Sequence, residues 1–236
     1  RLPEFIEDGI GTMFASTVTV PVNKDQVLKT GTVKPEEADK IVDEMSIKLG
    51  RSAQKSDLMV LEMINSNNWE RPMYFAVTVG EQFYPNVKEY LQLEGLAYRL
   101  VPIKGNAERV NTEVMFDNMM HKFKYGGVDN PNVYLDENNL RMCRTFRLMF
   151  SELIGALIKE GKTDKAVEAL DYCLKVIPAE TVPHDYTSML LANYYYELGK
   201  HEQADALVNN IAAQIYERLD WIASLPNDKR SNLSRE

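Results

Sequence analysis

Apolar and polar positions keep one rhythm in the first half of the chain and another in the second. Up to about Gly127 short apolar runs, strand-like alternations and amphipathic stretches follow one another; from about Pro131 a helical period persists to the end. Thr17-Val18-Thr19-Val20 alternates and reads as a strand ended by Pro21. Pro35-Glu36-Glu37 opens a helix, with proline in the first turn and acids at the positive end of the dipole. Asp57 is a plausible N-cap for a second helix through Leu58, Leu61 and Ile64. Met59, Val60 and Met63 make that helix apolar nearly all round, which predicts deep burial. Met73 to Val79 is a near-continuous run of strand formers, the pattern of a strand covered on both faces in a parallel sheet. A short helix over 86–94, stopped by Gly95, and a second run from Leu96 to Ile103 complete a predicted βαβ unit. A helix over 112–123 presents Phe116, Met119, Met120 and Phe123, and Gly126-Gly127 with Pro131 form a linker. The fold class that follows is α/β, with a mixed or parallel sheet holding the βαβ unit, over residues 1–127. An all-α domain follows over residues 128–236.

The helical half contains an internal repeat. Glu160–Leu170, "EGKTDKAVEAL", matches Leu198–Leu207, "LGKHEQADAL", at an offset of 38 residues. Gly161 and Gly199 each end a helix, and Ala166 and Ala204 each stand five residues on. Phe150, Leu153, Leu157, Ala166, Leu170 and Pro178 in the first copy resemble the tetratricopeptide pattern. Leu191, Ala192, Tyr195, Gly199, Ala204 and Val208 keep part of it in the second. Alanine suits places where two helices cross closely, and glycine a turn of positive φ. Two repeats are fewer than the three or so that a free-standing array needs, so this one is expected to lean on the α/β region.

Composition narrows the function. A net charge of −8 argues against a nucleic-acid partner. No run of about 18 apolar residues is present, so direct membrane insertion is not expected, and the start lacks the pattern of a signal peptide. The chain begins without Met, as a piece of a longer protein would. Cys143 and Cys173 sit in apolar helical patterns and read as small buried hydrophobes.

Candidate chemistry is sparse. His121, His184 and His201 make no metal-ligand spacing, and no nucleophile motif or phosphate loop occurs, so no cofactor, metal or catalytic residue is expected. Asp129–Asn139, "DNPNVYLDENN", has many oxygen ligands, yet Pro131 and Val133 break the alternation a calcium loop needs. An Asx turn followed by a helix start at Asp136 and Asn138 explains it. Tyr194, Tyr195 and Tyr196 point to three faces of one helix, and Tyr194 and Tyr196 are candidates for a peptide-binding concave face. Asn67–Phe75, "NNWERPMYF", joins a helix to a strand. Asn68, Trp69, Arg71 and Pro72 read as a structural corner, with Trp69 covering the helix end and Arg71 binding its free carbonyls. In a parallel sheet this corner lies away from the ligand edge. A small-ligand site would then fall at Gln82 and Tyr84, or at Lys104 and Asn106.

"DLMVLEMINSNNWERPMYFAVTVG", "YLQLEGLAYRLVPIK" and "DNPNVYLDENNLRM" resemble the C-terminal part of a family of Bacteroidetes multi-pass membrane proteins. That family is domain of unknown function 2723, related to protein O-mannosyltransferases. Arg1-Leu2-Pro3, "VPVNKDQVL" and "LGRS" fit it as well. The resemblance implies a membrane-embedded glycosyltransferase N-terminal to this chain, which would be its non-catalytic periplasmic tail, working beside its own membrane domain. The catalytic acid of such enzymes lies in an early loop that nothing here matches. The implied role is to bind acceptor polypeptide or a protein partner. A free-standing tetratricopeptide adaptor is the first alternative and a soluble enzyme of unknown class the second.

Overall fold

The computed structural model describes residues 17–49, 55–79, 87–104 and 109–226. The chain divides into two compact units, Arg1–Met115 and Phe116–Glu236.

The first unit is mixed α/β with two small sheets. Strands β1 (Thr17–Pro21) and β2 (Glu44–Lys48) pair antiparallel, with helix α1 (Lys24–Lys29) and a 3-10 turn (Pro35–Lys40) between them. Asn23 caps α1 by accepting a hydrogen bond from the Gln26 amide. Helix α2 (Lys55–Asn67) leads to β3 (Tyr74–Ala76), and then come β4 (Leu91–Leu93), β5 (Ala97–Leu100) and β6 (Arg109–Val110). The second sheet runs β3-β5-β4-β6. Its β3·β5 and β4·β5 pairs are antiparallel and its β4·β6 pair is parallel. Val27, Met45, Ile47, Leu61, Leu100 and Val101 lie in one shared core. Buried Tyr90 ties the two sheets together by accepting a hydrogen bond from the Ser46 amide at 3.0 Å.

The sheet is mixed, one of the two arrangements expected, but the expected βαβ unit does not form among the described residues: β3 and β5 are antiparallel neighbours. Only a 3-10 turn, Lys88–Tyr90, stands where a helix over 86–94 was expected, and residues 91–93 are a strand. The deciding pattern is Leu91-Gln92-Leu93-Glu94, a period of two, ended by Gly95 at φ 134° in a tight reversal. The run from Met73 to Val79 is a strand for three residues only, with Tyr74 and Ala76 exposed. Helix α2 buries one face, Leu61 and Ile64, and leaves Met59 and Met63 more than half exposed. An apolar helix surface is buried only where something packs on it, and core packs on one side here.

Helix α3 (Thr112–Asp117) continues as a π-turn (Asn118–Lys122), and the division between the units falls inside it. The second unit is helical: α4 (Glu137–Lys159), α5 (Thr163–Val176), α6 (Tyr186–Glu197) and α7 (His201–Ser224). Helix α4 packs on α5, α6 on α7, and α6 also lies against α4 and α5. The two reversals have the same hydrogen bonds. Gly161 (φ 73°) donates to Ile158 and Lys162 to Leu157; Gly199 (φ 71°) donates to Tyr196 and Lys200 to Tyr195. A left-handed residue at this point satisfies the last carbonyls of the helix, and glycine adopts it without a Cβ penalty. Ala166 and Ala204, both fully buried, sit at equivalent places beyond each turn.

Candidate functional site

The alternation of the second sheet sorts its side chains into two faces. Phe75, Leu91, Leu93, Tyr98, Leu100 and Val110 share one, and Leu91 and Leu100 reach the core. On the other, the register sets Tyr74 beside Arg99, Arg99 beside Gln92, and Gln92 beside Arg109. One polar row therefore crosses all four strands. Glu94 and Asn111, two residues beyond Gln92 and Arg109, extend it.

Glu94 is 5% exposed and lies at the centre of this row. Its carboxylate accepts from the Tyr74 hydroxyl (3.1 Å) and the Asn111 amide (3.4 Å), and faces the Arg99 guanidinium at 3.7 Å. Partial burial first, and then the Glu94 charge, push the Tyr74 phenol above its ordinary range. Segment 31–40 is tied to the same row. The Gly31 carbonyl accepts from Arg99 (3.5 Å), and Glu37 accepts from Arg109 (2.7 Å). Hydrogen bonding from Lys40, and then from Arg109, holds Glu37 below the usual carboxylate range. The row is thus a hydrogen-bonded surface of paired charges. Among the described residues no group of three His, Cys, Asp or Glu side chains could hold a metal. The signal for the row was present in the sequence, in the alternation through Gln92 and Glu94.

The corner before β3 is built by its backbone. Asn68 (φ 43°) and Trp69 (φ 62°) are consecutive left-handed residues, a conformation that asparagine tolerates and a bulky residue adopts only when held. The hold is burial of the indole in the core of the first unit. The Asn67 side chain donates to the Arg71 carbonyl at 2.7 Å, while Arg71 and Pro72 are exposed. The polar bond at this corner therefore comes from Asn67. With antiparallel pairs in the sheet, the strands share no single carboxyl edge at which a ligand would be expected. Gln82, Tyr84 and Asn106 lie outside the described residues, and Lys104 is exposed.

In the helical unit, Arg147 is the residue that the sequence reading missed. It occupies a core position of α4, between Cys143 and Phe150, and is fully buried. Its guanidinium donates to the carbonyls of Val182 (2.8 Å), Pro183 (3.1 Å) and Ile177 (3.3 Å) and stands 3.5 Å from Asp185. It pins the loop between α5 and α6. Asp185 in turn caps α6, accepting from the amides of Thr187 and Ser188 in a capping box. Next to it, His184 donates its backbone N–H to Gln214 (2.7 Å) and pairs with the Ser188 hydroxyl (3.0 Å). Burial, and then the Arg147 charge, hold the His184 imidazole below its ordinary pKa. The visible signal for Arg147 was a charge in the apolar stripe Cys143–Phe150–Ile154–Leu157.

The three tyrosines separate. Tyr195 is core, its hydroxyl donating to Asp171 at 2.6 Å. Half-buried Tyr194 lies on Gly155 of α4, where an added Cβ would meet its hydroxyl at 2.7 Å. Tyr196 is exposed and donates to Asp205 of α7 at 2.6 Å. Exposed Tyr186, Met189 and Tyr196 follow one another at spacings of three and seven along α6, so they share a face. At the base of α4, Asp136 caps by accepting from the Asn139 amide (2.8 Å), and Asn138 accepts from Arg141 (3.1 Å). A cavity of about 330 Å³ lies between α5, α6 and α7, lined by Leu174, Glu180, His184, Tyr195 and Asn210 among others.

Residues 6–118 match the family described as TMEM260-associated domain 2, a domain associated with a membrane protein family. The polar row and the Trp69 corner both lie inside that match. No curated protein and no solved structure matches the chain. Among the described residues no helix is long and apolar enough to cross a membrane.

Proposed function

We propose that this chain is an extramembrane, non-catalytic part of a membrane glycosyltransferase-like protein, and that its helical unit holds a polypeptide, either an acceptor or a partner. The match of residues 6–118 to a membrane-protein-associated domain supports the first half of this reading. The likeness to domain of unknown function 2723 supplies the finer expectation of a protein O-mannosyltransferase-like parent whose tail faces the periplasm. The observation that carries the second half is the exposed face of α6, where Tyr186, Met189 and Tyr196 stand in line. The recurring glycine turns and buried alanines of the two hairpins agree with a tetratricopeptide-like array, in which the first helix of each hairpin lines the peptide groove. Aromatic and methionine side chains make adaptable contacts with extended peptides.

The test has two parts. Peptides selected from a random displayed library against the whole chain are labelled and titrated by fluorescence anisotropy. Met189→Glu is expected to weaken their binding at least about tenfold, as loss of a central apolar anchor does. Failure to select any peptide, or binding indifferent to Met189→Glu and Tyr186→Glu, would overturn the peptide role. Separately, the chain is incubated with polyprenyl-phosphate sugars and the selected peptides. No transfer is expected, and turnover by the chain alone would end the non-catalytic reading.

A further inference from the structure

Helix α7 has 24 residues and its hairpin partner α6 has 12. The buried residues of α7 are Ala204, Leu207 and Ile211, and none follows. Residues 212–224 run on for about 20 Å with no side chain in the buried class, Ala212, Gln214 and Ile222 being partly covered. This stretch is apolar along one line. Val208, Ala212, Ile215, Leu219 and Ile222 recur at spacings of four, three, four and three. Val208, Ile215 and Leu219 are 41%, 50% and 53% exposed. Alternating steps of four and three average 3.5 residues, the repeat that keeps an apolar seam facing one partner helix. A helix of this length is marginal in water by itself, so the seam needs a cover.

We propose that the cover is α7 of a second copy of this chain, packed seam to seam. A lipid surface is disfavoured because helices that lie on membranes carry lysines and arginines along their polar face. Here Glu217 and Asp220 outnumber Arg218, in a chain of net charge −8. A second α7 has the matching 3.5-residue spacing by identity and forms a self-complementary, two-fold interface. A seam of about two heptads, with Tyr216 alongside, buries on the order of 500 Å² per helix and roughly 1,000 Å² in all, the lower bound for a specific interface. The pairing is therefore weak, and local concentration, such as confinement to a membrane surface, strengthens it.

Sedimentation equilibrium of the whole chain over a range reaching hundreds of micromolar tests this. A reversible monomer–dimer equilibrium is expected. Ile215→Glu and Leu219→Lys should each weaken it at least tenfold, with circular dichroism unchanged. Trp221→Gln, two residues past Leu219 and so on the other side of the helix, should leave it as it is. A chain that stays monomeric throughout the range overturns the proposal. So does a dimer that survives Leu219→Lys or is lost in Trp221→Gln. If the monomeric chain instead floats with phosphatidylcholine–phosphatidylglycerol vesicles and Leu219→Lys abolishes flotation, the seam is a lipid face and the pairing is disproved.

Discussion

Two side chains show what one residue can hold in place. Trp69 keeps a left-handed backbone because its indole is buried; without the indole, neither packing nor preference favours φ 62°. Trp69→Ala is expected to cost about 3–5 kcal/mol, read as a lower midpoint in denaturant melts. Arg71→Ala, at an exposed side chain, should stay within about 0.5 kcal/mol of the parent. Arg147 acts through geometry: three carbonyls from one loop converge on a planar fork. Lysine carries the same charge on a single nitrogen, which cannot stand where both guanidinium nitrogens do. Arg147→Lys should therefore destabilise by about 3 kcal/mol or more, and the same melts would show it. That Trp69 is packed inside was legible from its place between two apolar segments. That its backbone is left-handed was not, because nothing in a sequence distinguishes a tryptophan that closes a helix from one that continues the chain.

At the scale of elements, the helices of the second unit and strand β1 of the first were legible, and the short strands of the second sheet were not. Helices declare themselves over many turns: the stripe through Phe150, Leu153, Ile154 and Leu157 repeats until Gly161 stops it. Strands β3 to β6 have two to four residues each, so a period of two shows only briefly, as through Leu91–Glu94, and their pairing depends on contacts distant in sequence. The apolar run around Phe75 suggested a doubly covered strand because continuous hydrophobicity does not say which face is buried. The alternation through Gln92 and Glu94 carries the signal of β4, but which strands align the row across the sheet follows only from the pairing. Contact between elements also sets a limit at Gly155, where an added Cβ would stand 2.7 Å from the Tyr194 hydroxyl and force that ring to shift. Gly155→Ala is expected to cost about 1–3 kcal/mol as α4 and α6 are pushed apart. Adding Tyr194→Phe should recover part of that loss, and a thermal double-mutant cycle measures the coupling.

For the molecule as a whole, one half-buried imidazole contributes a pH dependence to stability. His184 in the folded chain binds its proton less readily than in the unfolded chain, where its pKa lies near 6.5. Above that value both states are neutral at this site and it adds no pH dependence. As pH falls below it the unfolded chain takes up the proton first, so stability drops until the depressed folded pKa is reached. Melting temperatures of the parent recorded downward from pH 8 should begin to fall near pH 6.5. His184→Gln should flatten that part of the curve, and a parent curve level down to pH 5 would contradict the assignment.

Both thiols of the protein, Cys143 and Cys173, are free, buried and in the helical unit. Burial raises the Cys143 thiol and pushes Cys173 up to about 12, so neither is a thiolate at neutral pH while the unit is closed. Nature has thereby left two clocks in one half of the molecule and none in the other. The rate at which a thiol reagent consumes them measures how often the helices part. Arg147→Lys, which loosens the loop between α5 and α6, should quicken that rate.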